Sequence, residues 1–382
     1  MGSSAGWSAR GPAHGEADVR RSESAGPTAE TRSHITARQQ WYRGEPPKSR
    51  LRSDGKGTPH IRGRRGGRVG EPDAALWFRL VERDRRILAL LHEHKVLSTN
   101  QIAAIEFSSI RRAQDRLRQL RELGAVFAFR DSYAAGGTSQ TRYALGYRGA
   151  RVIAAQRAEK PPVAGAYAER LERLGLWPKL SHQLGVNDFF CGLAAYARSR
   201  PDAALTQWWS EKACTEFFWH GDIKLRPDAY GCWDEQGRRV RFFLEHDTGT
   251  EPLSKVVGKL GDYSRFGTDV FGVLLFSVHS SLRERNLRSA MRQQLGYEKP
   301  GFVIATASRD HGHPDGPAGP IWAVWSFQDQ VQERRRLAEL PQRGPRIAQH
   351  ASPVGLPFSE AAWDPNDTTM TGQVTGDERR WE

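Results

Sequence analysis

The sequence predicts a protein of mixed class, α/β plus α+β, with two ordered blocks between disordered termini. Hydrophobic residues recur at helical spacing from about residue 78, short β-prone runs follow, and Gly, Ser, Arg and Pro dominate both ends. The expected parts are a disordered basic arm over 1–77, a first domain over 78–157, a second domain over 165–327, and a short helix with a disordered tail over 328–382.

The charge of the chain favours a polyanionic partner. The 382 residues carry a formal net charge of +13, and Lys and Arg side chains release counterions when they bind nucleic-acid phosphates. A membrane surface would attract the same charge, but no apolar run of about 18 residues and no N-terminal signal pattern occurs. A cytoplasmic protein without a membrane partner is therefore expected.

The basic arm and the cysteines have simple interpretations. The arm is richest in arginine over Arg62–Arg68, so it either binds DNA without sequence preference or is a solubilising tail. Cys191, Cys214 and Cys232 are widely spaced and form no Cys-x-x-Cys pair, which predicts buried thiols rather than a disulfide framework or a zinc site.

The first block predicts three helices followed by a β-hairpin. Apolar residues recur every three or four positions over Arg79–His94, Asn100–Glu106 and Ile110–Leu123. Val126–Arg130 and Thr141–Leu145 are β-prone and enclose a Gly-rich loop. This order is typical of the winged form of the helix-turn-helix, in which the third helix enters the major groove of DNA.

The polar face of the third helix provides the candidate DNA-binding residues. Arginine can contact guanine or phosphate, and glutamine can contact adenine. The predicted DNA-binding residues are Ser109, Arg111, Arg112, Gln114, Arg118 and, on the hairpin, Arg142. Two alternatives stay open for this face, namely a solvated surface without a ligand and a docking surface for another protein.

The second block predicts a mixed β-sheet with helices on both faces, in the order α-β-β-β-α-β-α-β. Glu245 and Asp247 lie near the end of one strand and point to the same face, because side chains alternate along a strand. If this strand forms a hairpin with the preceding one, Asp228 joins them at one edge of the sheet. Three neighbouring carboxylates need a compensating cation, and oxygen ligands suit Mg²⁺ or Mn²⁺.

A lysine on the next helix could also reach this acidic cluster. Lys255 and Lys259 are four residues apart, so they share a helix face, and either one could approach the carboxylates.

His182 lies on an earlier helix and is interpreted as a core or surface histidine.

Pro227-Asp228 followed by Glu245-x-Asp247 resembles the acidic part of the PD-(D/E)xK nuclease motif, with Asp247 in the position of the usual lysine. The resemblance implies a restriction-endonuclease-like domain. In such a domain Asp228, Glu245 and Asp247 would bind Mg²⁺ or Mn²⁺, and Lys255 or Lys259 would support the chemistry.

With the winged helix ahead of this domain, the chain over about 80–290 resembles the replication-relaxation family. The segments that carry the resemblance are Arg83–Leu91, Leu97–Ile105, Thr141–Ala150, Ser181–Phe189, Arg226–Asp228 and Phe242–Thr250 with Lys255.

The resemblance implies a protein of plasmid or mobile-element replication or mobilisation that binds double-stranded DNA and nicks it with a divalent metal. One alternative is a non-catalytic DNA-binding regulator whose second domain serves dimerisation or partner contact, and the sequence is compatible with a homodimer. Another alternative is a protein-interaction adaptor whose winged helix does not contact DNA.

Overall fold

The computed structural model describes residues 74–130, 139–220, 223–266, 268, 272–296, 300–326 and 333–341. Most of the basic arm, including Arg62–Arg68, and most of the C-terminal tail lie outside the described residues. So does most of the hairpin loop between the two predicted strands of the first block.

The helices are α1 (Ala74–Trp77), α2 (Glu82–His94), α3 (Thr99–Glu106), α4 (Ile110–Glu122), α5 (Tyr147–Gln156), α6 (Ala164–Leu174), α7 (Leu180–Arg198), α8 (Glu211–Phe217), α9 (Leu253–Phe266) and α10 (Ser281–Leu295). The strands are β1 (Val96–Ser98), β2 (Val126–Phe129), β3 (Arg142–Leu145), β4 (Ala203–Ser210), β5 (Trp219–His220), β6 (Ile223–Lys224), β7 (Ala229–Glu235), β8 (Arg238–Asp247), β9 (Val273–Val278), β10 (Ile304–Ser308) and β11 (Ala323–Val324).

The first block has the predicted helices and hairpin strands, with small shifts at their ends. Helices α2, α3 and α4 are followed by β2 and β3, which pair in antiparallel fashion. Strand β1 was not predicted, because three residues are too few for a strand period. It adds to the hairpin through pairs such as Val96 with Ala144, which gives a three-stranded sheet in the order β1-β3-β2.

The helix-to-helix turn of this block is set by side-chain caps. The Ser98 hydroxyl accepts a hydrogen bond from the Gln101 N–H, and the Gln101 side chain accepts one from the Ser98 N–H, so both satisfy free donors at the start of α3. Ser109 caps α4 in a similar way by accepting from the Arg112 N–H at 3.4 Å. These caps explain why α3 and α4 begin where they do.

The second block contains a six-stranded mixed sheet in the order β11-β10-β9-β8-β7-β4. Strands β4, β7 and β8 are antiparallel neighbours, while β9 and β10 run parallel to β8. The β7–β8 hairpin turns through Gln236 and Gly237, which have φ angles of 51° and 75°. Positive φ at both central positions is typical of the tight two-residue turn that matches strand twist, so this turn fixes the register of the two strands.

Alternate residues of β8 face different helices. Phe242 and Leu244 belong to an apolar cluster shared with α7, whereas Phe243 belongs to a second cluster shared with α9 and α10. By the same alternation, Glu245 faces the α9 side and His246 faces α7. The predicted layers with helices on both faces are therefore confirmed.

The apolar cluster on the α7 side continues into the first block. It includes Leu97 and Ile102 as well as Phe189 and Phe190 of α7. Residues 78–157 thus pack directly against the helix that covers the large sheet. Cys191, Cys214 and Cys232 are buried free thiols, as predicted.

Candidate functional site

Asp228 and Glu245 are placed at the same edge of the sheet by the β7–β8 register. Ala229 pairs with Leu244, so the residue before Ala229 lies next to the residue after Leu244. The Asp228 Oδ2 atom accepts a hydrogen bond from the His246 N–H at 2.7 Å. The predicted convergence of these two carboxylates is therefore present in the fold.

Helix α9 brings Lys259 and Tyr263 to Glu245. The Lys259 Nζ atom lies 2.5 Å from Glu245 Oε2, and the Tyr263 hydroxyl donates to Glu245 Oε1 at 2.7 Å. The two residues are four apart and share one helix face. Lys255 faces elsewhere, since its ammonium pairs with Glu251 at 2.7 Å on the exposed side of α9. Of the two candidate lysines, Lys259 is the one that contacts a carboxylate of the cluster, Glu245.

The two carboxylates differ in how readily they ionise. Burial, followed by the negative charge of Asp228, raises the pKa of Glu245 to about 7, against the opposing effects of Lys259 and Tyr263. Burial also opposes ionisation of Asp228, but the hydrogen bond and charge of His182 keep its pKa below the usual range. Asp228 is therefore the firmly ionised member of the pair at neutral pH.

His182 of α7 is a site residue that the sequence pattern did not identify. Its Nε2 atom lies 3.1 Å from Asp228 Oδ2, and its ring contacts the His246 ring edge-on. Burial opposes protonation of His182, but Asp228 outweighs that effect and its pKa is raised. Helix α7 reaches this place because Gly185 lies against the His246 imidazole, where a Cβ atom would overlap the ring. A lone histidine on an amphipathic helix carries no signal of this partner.

Asp247, the third predicted ligand, has partners of its own that differ from those of Asp228 and Glu245. Its Oδ2 accepts from the Arg283 Nε at 2.6 Å, and its Oδ1 accepts from the Gly249 N–H at 2.8 Å. Arg283 also donates to the Glu251 carbonyl oxygen at 2.5 Å. The physical reason is that α10, which is distant in sequence, supplies a guanidinium on the same face of the sheet.

The residues present do not form a ready-made divalent-metal site. Within the described part of the chain, no group of three or more His, Cys, Asp or Glu side chains is arranged to hold a metal ion. Both oxygens of Glu245 already accept hydrogen bonds from Lys259 and Tyr263. The Mg²⁺ or Mn²⁺ predicted from the carboxylates thus has no preformed set of three acidic ligands at this edge.

On the opposite face of β8, His246 lies against Arg309. Arg309 donates to the Ser277 carbonyl oxygen at 2.6 Å and to the Asp247 carbonyl oxygen at 2.8 Å, which ties together the ends of β8 and β9. Burial and the charge of Arg309 lower the pKa of His246 to about 3. His246 is therefore neutral and has a packing role at this edge.

The second candidate surface is the outer face of α4. Ala113, Leu117 and Leu120 are buried beneath the helix. The predicted residues on its outer face are exposed, namely Ser109, Arg111, Arg112, Gln114 and Arg118. Their local contacts are with neighbours on or beside the helix, including Asp115 and Ser108. Arg142 lies apart from them as a half-buried residue of β3.

One arginine of α4 anchors the helix from its inner side. Arg116 donates through Nε to Asp84 Oδ1 at 2.9 Å, and its Nη2 also contacts the carboxylate. Asp84 is fully buried and accepts a further hydrogen bond from the Val81 N–H at the start of α2. This ion pair fixes α4 to α2 and leaves the outer arginines directed to solvent.

Helix α7 connects the acidic edge of the sheet to α3, the helix that precedes α4. Gln101 of α3 donates to Asp188 Oδ1 at 2.6 Å and to the Leu184 carbonyl oxygen at 2.8 Å. At the other end of α7, Arg198 donates to the Ala104 and Phe107 carbonyl oxygens at the end of α3. The helix that presents His182 to Asp228 is thus bonded to both ends of α3.

The fold and the site define a mixed α/β protein with a carboxylate–lysine–histidine cluster at one edge of its large sheet and a basic helix on its three-helix block. Residues 88–271 of the chain match the replication-relaxation family. Comparison with curated proteins gave no match. None of the described helices combines the length and hydrophobicity that crossing a membrane requires.

Proposed function

We propose that this protein binds double-stranded DNA in the replication or mobilisation of a plasmid or mobile element. Residues 78–157 act as a winged helix, with α4 as the helix that enters the major groove and the β2–β3 hairpin as the wing. The family match supports the replication role, and the outer face of α4 carries the DNA-binding part of the proposal.

The geometry of α4 suits this role because its inner face packs against the protein and its outer face is exposed to solvent. The inner face is held by the core and by the Arg116–Asp84 pair. The outer face has Arg111 and Arg118 side chains that are 84% and 61% exposed. Their exposed ion pairs with Asp115 are weak and screened by salt, so phosphates can replace them at little cost.

The proposal is tested by measuring the affinity of the chain for plasmid-derived duplexes over a range of salt concentrations. The variant carries Arg111→Ala, Arg112→Ala and Arg118→Ala. Each lost phosphate contact should reduce the salt slope of the binding constant by about 1, and each lost base contact should cost about 1–3 kcal/mol.

Arg173→Ala is the matched control, because Arg173 is 80% exposed and pairs with Glu169 at i,i+4 as Arg111 pairs with Asp115. We expect the control to bind DNA as the wild type does. A triple variant that keeps the wild-type affinity and salt slope would contradict the proposal.

Metal-dependent DNA nicking is the second candidate function. It is favoured by one observation, the contact of Lys259 with Glu245 beside Asp228 at the end of two paired strands. An acidic pair with an adjacent lysine is the set that the nuclease resemblance implies. Because the described residues provide no preformed metal site, a divalent ion would have to displace contacts within the protein in order to bind.

A supercoiled plasmid with Mg²⁺ or Mn²⁺, compared with the same reaction in EDTA, tests this second function. Asp228→Asn should abolish nicking. Asp262→Asn should not, because Asp262 lies on the exposed side of α9 in an ion pair with Arg265. Absence of nicking in a wild-type chain that binds DNA would favour the non-catalytic regulator.

A further inference from the structure

Each carboxylate at this edge of the sheet has its own basic partner, and each partner comes from a different helix. His182 of α7 lies 3.1 Å from Asp228, and Lys259 of α9 lies 2.5 Å from Glu245. Arg283 of α10 lies 2.6 Å from Asp247. The like charges that would call for a bound metal are therefore balanced by side chains of the protein.

Burial makes this balance necessary. The Glu245 and Asp247 side chains are only 4% and 5% exposed. A buried carboxylate without a partner is costly, because water no longer solvates its charge. A neighbouring positive charge therefore favours the ionised form of these carboxyl groups.

Lys259 contacts Glu245 directly and acts on Asp228 only through its charge. Burial lowers its pKa, but the charges of Glu245 and Asp228 outweigh this and raise it. The same ammonium lowers the pKa of Asp228. A divalent ion that bridged Asp228 and Glu245 would have to compete with this ammonium for the negative charge of the two carboxylates.

We propose that Lys259 is an internal counter-ion that takes the place of a divalent cation between Asp228 and Glu245. The wild-type edge then binds divalent ions only when the Lys259 ammonium moves away. This proposal concerns the carboxylate pair and does not rest on DNA binding by α4.

The surroundings of Lys259 allow such a displacement, whereas those of Arg283 do not. The Lys259 side chain is 33% exposed, so it has a route to solvent. Arg283 is 13% exposed and contacts both oxygens of Asp247 and the Glu251 carbonyl oxygen. Asp247 therefore keeps Arg283 as its partner, and a divalent ion can replace a protein cation only at the Asp228–Glu245 pair.

Titration of the full chain with Mn²⁺, with free Mn²⁺ followed by electron paramagnetic resonance, tests the proposal without any activity assay. Lys259→Met should bind Mn²⁺ up to about fivefold more tightly than the wild type, since the partly exposed ion pair that competes with the metal is lost. Lys255→Met is the matched control on the same helix and should behave as the wild type does. Adding Asp228→Asn to Lys259→Met should abolish the gain.

Equal Mn²⁺ affinity in the wild type and Lys259→Met would overturn the proposal, as would a gain that persists after Asp228→Asn is added. If Lys259→Met fails to fold, rescue of its folding by Mn²⁺ but not by NaCl of equal ionic strength supports the proposal. In that case a folded Lys259→Gln variant without increased Mn²⁺ affinity overturns it. DNA affinity measured on the same variants separates this outcome from a failure of the α4 proposal.

Discussion

Replacement of Asp84 by alanine tests whether a buried ion pair holds α4 in place. The Asp84 carboxylate is fully buried and accepts hydrogen bonds from the Val81 N–H and from Arg116, both at 2.9 Å. A second nitrogen of the Arg116 guanidinium also contacts it. Alanine removes all of these contacts at once.

The expected loss of stability follows from the exposure of the partner left behind. Breaking a buried ion pair by removing one partner typically costs about 3–5 kcal/mol. Arg116 is 22% exposed and also donates to Gln119 at 2.6 Å, so part of its charge remains solvated or bonded. We therefore expect the lower end of the range, about 3 kcal/mol in the free energy of unfolding.

Urea denaturation followed by circular dichroism measures this loss, and Arg118→Ala is the control. Arg118 pairs with Asp115 on the exposed side of the same helix, and exposed pairs contribute about 0–1 kcal/mol. If Asp84→Ala were no more destabilising than Arg118→Ala, the reasoning about the anchor of α4 would be refuted.

Two further predictions concern buried positions. Gly185→Ala should destabilise the protein by about 1–3 kcal/mol, because its Cβ would overlap the His246 ring. The control is Gly165→Ala in α6, where a Cβ atom would meet open space, so its free energy of unfolding should be within about 1 kcal/mol of the wild-type value. Equal urea midpoints for the two variants would argue against the close approach of Gly185 to His246. Burial lowers the pKa of His94 to about 3, so the unfolded chain takes up a proton as the pH falls below about 6.5 while the folded chain does not. His94 should therefore contribute a fall of up to about 1.4 kcal/mol per pH unit to the free energy of unfolding below that point, beside a similar contribution from His246. The variant His94→Phe keeps a ring against Trp208 and should reduce the fall, and an unchanged pH dependence would show that His94 is not one of its sources.

Much of the fold was predictable because its elements have strong local patterns. The helices predicted over Asn100–Glu106 and Ile110–Leu123 each differ by one residue from α3 and α4 of the structure. Strand β1 and helix α6 were not anticipated. The three residues of β1 acquire their conformation from pairing with β3, and α6 buries only Tyr167, so its apolar signal is weak.

The candidate site was predictable only in part, because local patterns place residues on paired strands but do not reveal partners that are distant in sequence. Strand alternation and hairpin pairing correctly place Asp228 and Glu245 together. Strand alternation gave no sign of the partner of Asp247, which is Arg283 of α10.

The sequence by itself determined the periodic helices and strands, the charge that favours a polyanionic partner, and the acidic pair at the end of the β7–β8 hairpin. These depend on residues close in sequence, whose spacing directly reflects helix and strand geometry. Only the tertiary structure decided that Lys259 and not Lys255 meets Glu245, that His182 meets Asp228, and that Arg283 meets Asp247. These partners come from three helices packed on the sheet, and where a helix lies on a sheet depends on the packing of the whole core.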